Sequence, residues 1–155
     1  MKIKEKDNML ISFSVENYKS FKDEVVLNFE NLHDYKYNTQ CIKNGLLSKI
    51  LIYGANASGK SNFGFALFDI VCLLTDKNTY HLQNDEPTFI NADSDSDVAT
   101  FKYVFKNKKD KIVYSYKKKS PKSITYEELY INDCRIYSYN FEKKCFEDRS
   151  NMKEI

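Results

Sequence analysis

Apolar and polar positions along the chain switch between two periods, and each switch predicts a new element. From Leu10 the run Ile11-Ser12-Phe13-Ser14-Val15-Glu16 alternates with period two, the mark of a half-buried strand. Val25-Val26-Leu27-Asn28-Phe29 repeats the pattern with Val25, Leu27 and Phe29 on one face. The polar, basic link between these runs makes an antiparallel pair the natural reading. Residues 31–45 show no period and end in Asn44-Gly45, a turn signal. Leu46 to Tyr53 follows, and its last four positions are continuously apolar, which predicts a strand buried on both faces of a parallel or mixed sheet. From Lys60 to Thr75 apolar residues surround much of a helical circumference. Such a helix is expected to be covered by more than one layer, in part by polypeptide outside this chain.

Beyond the helix, residues 76–99 form a polar, loop-like stretch with Pro87 and the acidic run Asp93-Ser94-Asp95-Ser96-Asp97. These carboxylates lack the glycine turn and terminal Glu of a calcium loop, so a solvated loop is expected. Strand patterns return from Thr100. Phe101, Tyr103 and Phe105 alternate, the turn Asn107-Lys108-Lys109-Asp110 intervenes, and Ile112, Tyr114 and Tyr116 alternate again. That is a hairpin with aromatics on one face. Ile124 to Ile131, the turn Asn132-Asp133 and Arg135 to Tyr139 predict a second hairpin, with a last strand within Asn140 to Phe146. The expected layout is a disordered or tag-like start over residues 1–9 and one domain over 10–155. The segment 10–75 forms its core and residues 100–147 its antiparallel strands.

Between the apolar run and the helix lies Gly54-Ala55-Asn56-Ala57-Ser58-Gly59-Lys60-Ser61, which fits the phosphate-binding pattern G-x-x-x-x-G-K-[ST]. A chance match in a chain of this length is expected roughly once in a few hundred sequences at average residue usage. All four glycines fall between Gly45 and Gly64, which makes chance less adequate still. Gly54 and Gly59 let the backbone curl so that successive N–H groups face inward as an anion nest. The helix N-terminus adds its positive end at the same point. Lys60 carries a mobile point charge for the β- and γ-phosphates, Ser61 offers a hydroxyl to Mg²⁺, and Asn56 and Ser58 add donors along the loop.

Composition narrows the surroundings of this loop. The length of 155 residues suits a single domain with a real core. A net charge of +2 gives no field that by itself demands nucleic acid or membrane. Cys41, Cys72, Cys134 and Cys145 show no paired spacing, and His33 and His81 stand alone, so a zinc site is not expected and reduced thiols in a cytoplasmic protein are. The charged N-terminus has no apolar core of a signal peptide, and Phe63 to Leu74 is too short to span a bilayer.

The order strand, Asn17-Tyr18-Lys19-Ser20-Phe21, strand, then Ile52-Tyr53 and the glycine loop through Asn62 resembles the start of one ATPase group. These are the ABC-type heads of SMC-like and OLD-like proteins, often called AAA family ATPases in bacteria and found in many phage-defence systems. The resemblance is specific over Leu10 to Thr75 and looser over Phe101 to Tyr139. It implies a mixed α/β fold: the N-terminal lobe of a P-loop NTPase, with a mixed central sheet, the loop helix and an inserted antiparallel aromatic-rich sheet. It implies ATP and Mg²⁺ as cofactors, contacted by Gly54, Asn56, Ala57, Ser58, Gly59, Lys60, Ser61 and Asn62, with Ser61 on the metal. It further implies that Lys19, with Ser20 beside it, lies near the nucleotide phosphates.

Departures from the family bound the expected activity. No glycine follows Gly64, so a glycine-rich signature is missing, and no late apolar strand ends in Asp-Glu. Phe65-Ala66-Leu67-Phe68-Asp69 ends in an acid but sits inside the helix, and no His follows His81. No catalytic residue is therefore assigned, and hydrolysis is expected only when a C-terminal half or a second head completes the site. Two other readings stand beside this one. The chain could be a regulatory module docking on a partner or effector protein, with the apolar helix and the Tyr/Phe strands as interface. It could also hold nucleic acid through Lys106, Lys108, Lys109, Lys111, Lys117, Lys118, Lys119 and Lys122 with interleaved tyrosines.

Overall fold

Strand β1 (Asn8–Glu16) is the axis of the architecture, because it is paired along both edges. One neighbour is β2 (Val25–Asn28), joined antiparallel with Phe13 opposite Leu27. The other is β5 (Ala99–Asn107), with Phe13 opposite Tyr103 and Val15 opposite Phe101. From β5 the sheet continues through β6 (Asp110–Ser120), β7 (Ser123–Ile131), β8 (Cys134–Asn140) and the two-residue β9 (Cys145–Phe146). Seven strands result, in the order β2-β1-β5-β6-β7-β8-β9, and every pair is antiparallel. A separate small hairpin pairs β3 (Ile42–Lys43) with β4 (Leu46–Leu47). The computed structural model describes residues 8–33, 36–75 and 89–147; residues 1–7 of the expected tag-like start, most of the loop with Pro87 and His81, and the polar residues 148–155 lie outside them, while Asn8 and Met9, expected in that start, open β1.

Turn chemistry sets these registers. Asn44 and Gly45 both take left-handed backbone, as do Asn132 and Asp133, which suits tight hairpins whose twist matches the strands. Asn132 also accepts the Lys111 N–H at 2.9 Å and donates to the Asp110 carboxylate at 2.8 Å. The period-two readings therefore hold for β1, β2 and both aromatic hairpins. The last strand shrinks to Cys145–Phe146.

The mixed α/β lobe expected for a P-loop NTPase is not what forms. A parallel or mixed central sheet needs the run Leu46 to Tyr53 as a buried strand, but β4 stops at Leu47 and Ile50 to Tyr53 join no ladder. Leu51 and Tyr53 are 84% and 88% exposed. The aromatic strands expected as an insertion are the body of the fold, since β1 pairs directly with β5. Among the described residues there is one α-helix, α1 (Lys60–Leu74).

α1 lies against one sheet face and buries a narrow stripe, Phe63, Ala66 and Asp69, at helical spacing. Phe13, Val15, Phe101, Tyr103, Tyr114 and Tyr116 face it and form the core with Tyr18 and Phe89. Phe13 meets Phe63 edge-on at 5.6 Å, and the Phe101 and Tyr116 rings stack at 5.2 Å. The helix has one covering layer, not several: Phe68, Val71 and Leu74 are exposed.

A buried polar network ties this helix to the sheet. Lys118 of β6 reaches both oxygens of the Asp69 carboxylate at 3.0 Å, and both side chains are fully buried. The Tyr116 hydroxyl donates to the same carboxylate at 2.8 Å. The Tyr103 hydroxyl donates to the Ala66 carbonyl at 2.8 Å and accepts the Ile70 N–H, so it sits between two backbone groups that an α-helix joins directly. Burial raises the Tyr116 hydroxyl well above its ordinary range, reinforced by Tyr103 and then Asp69, so it stays protonated as a donor.

Candidate functional site

The glycine loop leaves the extended run at Gly54 and enters α1 at Lys60. Its curl comes from Ala57 and Gly59, both left-handed at φ 62° and 90°. Gly59 is needed twice over. A Cβ there would meet Ser20 Oγ at 2.5 Å and the Phe21 ring at 3.1 Å, and its φ disfavours any other residue. Lys60 folds back over the loop and donates to the carbonyls of Gly54 at 2.9 Å and Ala55 at 2.5 Å. An ammonium has three donors, so one remains for an anion. Within the loop Ser58 donates its N–H to the Ala55 carbonyl, and Phe63 donates to Gly59 as the first helical bond. Asn56, Ala57 and Ser61 are exposed.

The turn Asn17–Lys22 forms the second wall. Asn17 and Lys19 both have positive φ, which brings Tyr18 and Phe21 into reciprocal backbone bonds of 2.8 Å. Asn17 Nδ2 donates to the carbonyls of Ser96 and Val98 at 2.8 Å each, Lys19 N–H donates to Phe89, and Asn91 donates to the Lys19 carbonyl. Tyr18 packs edge-on against Phe89 and Phe101. This clamp fixes Ser20, whose hydroxyl accepts from Asn62 Nδ2 at 3.1 Å beside Gly59. Ser20 is thus brought to the loop. The Lys19 ammonium stands 5.8 Å from the centre of the Tyr18 ring.

Sequence reasoning chose Lys19 and Ser20 from this turn and missed Asn17, Phe21 and Asn91, which hold it. An asparagine opening a polar turn between two strands was the available signal for Asn17. It also missed an open hollow of about 300 Å³ against the loop, lined by Phe21, Val25, Leu27, Tyr53, Ser58 and Lys60 among others. Its lining is largely apolar and aromatic, with Ser58 and Lys60 as its polar members.

The pieces fit a phosphate chain: a curled backbone, a helix N-terminus, one spare ammonium donor and a close-approach glycine. For Mg²⁺ the loop offers the Ser61 hydroxyl, and no cluster of His, Cys, Asp or Glu suited to a metal occurs among the described residues. A magnesium ion held this way takes its remaining ligands from phosphates and water.

The eight lysines of the nucleic-acid reading fall into different settings. Lys118 is the buried partner of Asp69, Lys119 is bound to Asp97 and Glu142, and Lys111 pairs with Asp133. Lys117 lies over the Tyr126 ring. Lys106 and Lys108 line a second hollow, with Glu30.

Gly59→Ala is expected to lower stability by about 2 kcal/mol, from left-handed strain and displacement of Ser20 and Phe21. Gly64 has nothing within 4 Å and lies inside α1, so Gly64→Ala is expected to raise stability by about 0.5–1 kcal/mol. Urea unfolding of the two variants checks the opposite signs.

Among the described residues no helix is long and apolar enough to cross a membrane. Comparison of the chain with protein-family models, curated proteins and solved structures found no match.

Proposed function

We propose that this protein binds ATP with Mg²⁺ through the loop Gly54–Ser61, without hydrolysing it on its own. The observation that carries the reading is the Lys60 ammonium, anchored on two loop carbonyls at the N-terminus of a 15-residue helix with a donor to spare. Backbone N–H groups of the curled loop and the Lys60 ammonium receive the β- and γ-phosphates, and Ser61 holds the metal, which neutralises phosphate charge. Phe21, Val25 and Tyr53 around the adjoining hollow give the base an apolar seat. Ser20 and Asn62 keep the loop in its open-handed shape. ATP rather than another triphosphate follows from the resemblance to ABC-type heads. A cytoplasmic setting suits four cysteines held in no disulfide and the supply of ATP.

Hydrolysis requires a carboxylate to orient water and charge to stabilise the transferring phosphoryl group, and the loop residues Gly54–Ser61 include no carboxylate. A further polypeptide supplies them. Titration calorimetry with ATP–Mg²⁺ tests the reading: saturable binding at or below millimolar nucleotide is expected, with turnover below about 10⁻³ per second, the scale of unassisted GTPases. No heat at millimolar nucleotide sinks it. Robust turnover lost in Lys60→Ala sinks the claim of dependence on a partner.

One observation favours a second reading, a docking module whose loop only senses nucleotide. Ile50 to Tyr53 and Phe68, Val71 and Leu74 expose an unusual amount of apolar side chain for a small domain. Absence of nucleotide binding leaves that reading alone.

A further inference from the structure

α1 is anchored over β6 through Asp69, and β7 is the next strand of that sheet. On β7, Glu127 stands directly between Tyr116 of β6 and Tyr139 of β8, and the adjoining row runs Tyr114, Leu129, Tyr137. Directly opposed residues share a face, so Glu127 lies on the core side of the sheet with tyrosines on both flanks. The Tyr114 hydroxyl donates to its carboxylate at 2.8 Å. Burial raises that hydroxyl above its ordinary range, and the bond to Glu127 and its charge add to the shift, so Tyr114 stays a donor. The Tyr137 hydroxyl is raised in the same sense, first by burial and then by the Glu127 charge. Tyr139 is held edge-on by Phe141 at 4.8 Å and by Phe146 at 5.0 Å, which fixes its ring beside the carboxylate.

A carboxylate drawn into aromatic surroundings ordinarily has a cation beside it. Among the described residues the ion pairs use Asp69, Asp97, Asp133, Glu142 and Glu147, and Glu127 belongs to none of them. One donated hydroxyl leaves most of its acceptor sites unused. Its neighbour in sequence does not share the load: Glu128 faces the other side of the sheet, where Ser115, Tyr126 and Tyr130 donate to it. The setting is also open to a small molecule, since Glu127, Tyr137 and Tyr139 are half-buried and Phe146 is 43% exposed. A hard metal ion is a poor match, because it requires several oxygen ligands and a single carboxylate is present. An organic ammonium ion matches every part: its charge meets the carboxylate, and its methyl or methylene groups lie on the electron-rich ring faces.

We propose that Glu127, with Tyr114, Tyr137 and Tyr139, forms a binding site for a small organic ammonium ion. It uses no residue of the glycine loop and is independent of nucleotide binding. The probe is choline, titrated into the full chain at constant ionic strength and followed by NMR of ¹³C-labelled tyrosine rings. Saturable shifts of the Tyr114, Tyr137 and Tyr139 signals are expected, with a dissociation constant of about 1–10 mM. The neutral isostere 3,3-dimethylbutan-1-ol is expected to bind at least about tenfold more weakly, because it has the shape without the charge. Glu127→Gln keeps an acceptor for Tyr114 and is expected to weaken choline binding at least about tenfold. Tyr139→Leu keeps the carboxylate and removes a ring, and is expected to cost about threefold or more. Thermal melts of both variants confirm that the fold is intact. No saturable shift in these three tyrosines overturns the proposal. Equal binding of the neutral isostere overturns it in favour of apolar contact alone, and parent affinity in Glu127→Gln overturns it as well.

Discussion

Asp69→Ala is expected to destabilise the protein by about 3–5 kcal/mol, the scale measured when one partner of a buried ion pair is removed. That is a large share of the ~5–15 kcal/mol by which a domain is stable. At this chain length it lowers the thermal midpoint by roughly 10 °C or more. The variant removes the carboxylate that Lys118 holds through both oxygens and that accepts from Tyr116. Asp69 is also the last of the three buried residues of α1, so its loss loosens the C-terminal half of the helix first. Replacing both partners by apolar residues of similar size, Asp69→Leu with Lys118→Met, is expected to recover more than half of the loss, because no ion is then left in the core. Thermal and urea melts of the single and double variants form the check. A single variant within about 1 kcal/mol of the parent would mean that water already reaches the pair.

The fate of Lys118 shows how far residue types reach and where they stop. In the sequence it belongs to a basic run, Lys117-Lys118-Lys119, that looks like one solvated or phosphate-binding patch. In the fold, Lys117 lies over an outer tyrosine, Lys118 enters the core, and Lys119 bridges two acids. The alternation was read only as far as Tyr116, and nothing local supplied the partner of Lys118, 49 positions away on a helix. Period and turn residues made the hairpins legible for the opposite reason: both strands and the turn joining them are neighbours in sequence. The pairing of β1 with β5 is non-local, and no pattern within either strand specifies it.

The run Leu46 to Tyr53 failed for a related cause. Four apolar residues in a row announce burial, but burial needs a partner, and composition cannot say which chain provides it. The glycine loop was legible because its spacing is a local geometric demand. Gly59 is glycine for its φ and for the approach of Ser20, and Lys60 closes the loop that the motif predicts. What the spacing could not give was the clamp of Asn17 and Asn91, which joins residues more than 70 positions apart.

Lys60→Ala is expected to weaken ATP–Mg²⁺ binding about 100-fold or more, taking a charge-assisted hydrogen bond of ~1.5–3 kcal/mol together with the loop order that the side chain maintains. Lys60→Arg separates these two contributions. The guanidinium keeps the charge, but its planar fork cannot point donors at two carbonyls and a phosphate as a tetrahedral ammonium does. Arginine is therefore expected to restore less than a tenth of the parent affinity. Both variants are expected to keep the parent thermal midpoint within a few degrees, because the loop carbonyls are exposed and turn to water when the ammonium is gone. Calorimetric titration alongside thermal melts distinguishes a lost ligand contact from a lost fold. Parent affinity in Lys60→Ala would place the phosphates away from this loop, and a collapsed midpoint would make Lys60 a structural clasp of the turn into α1.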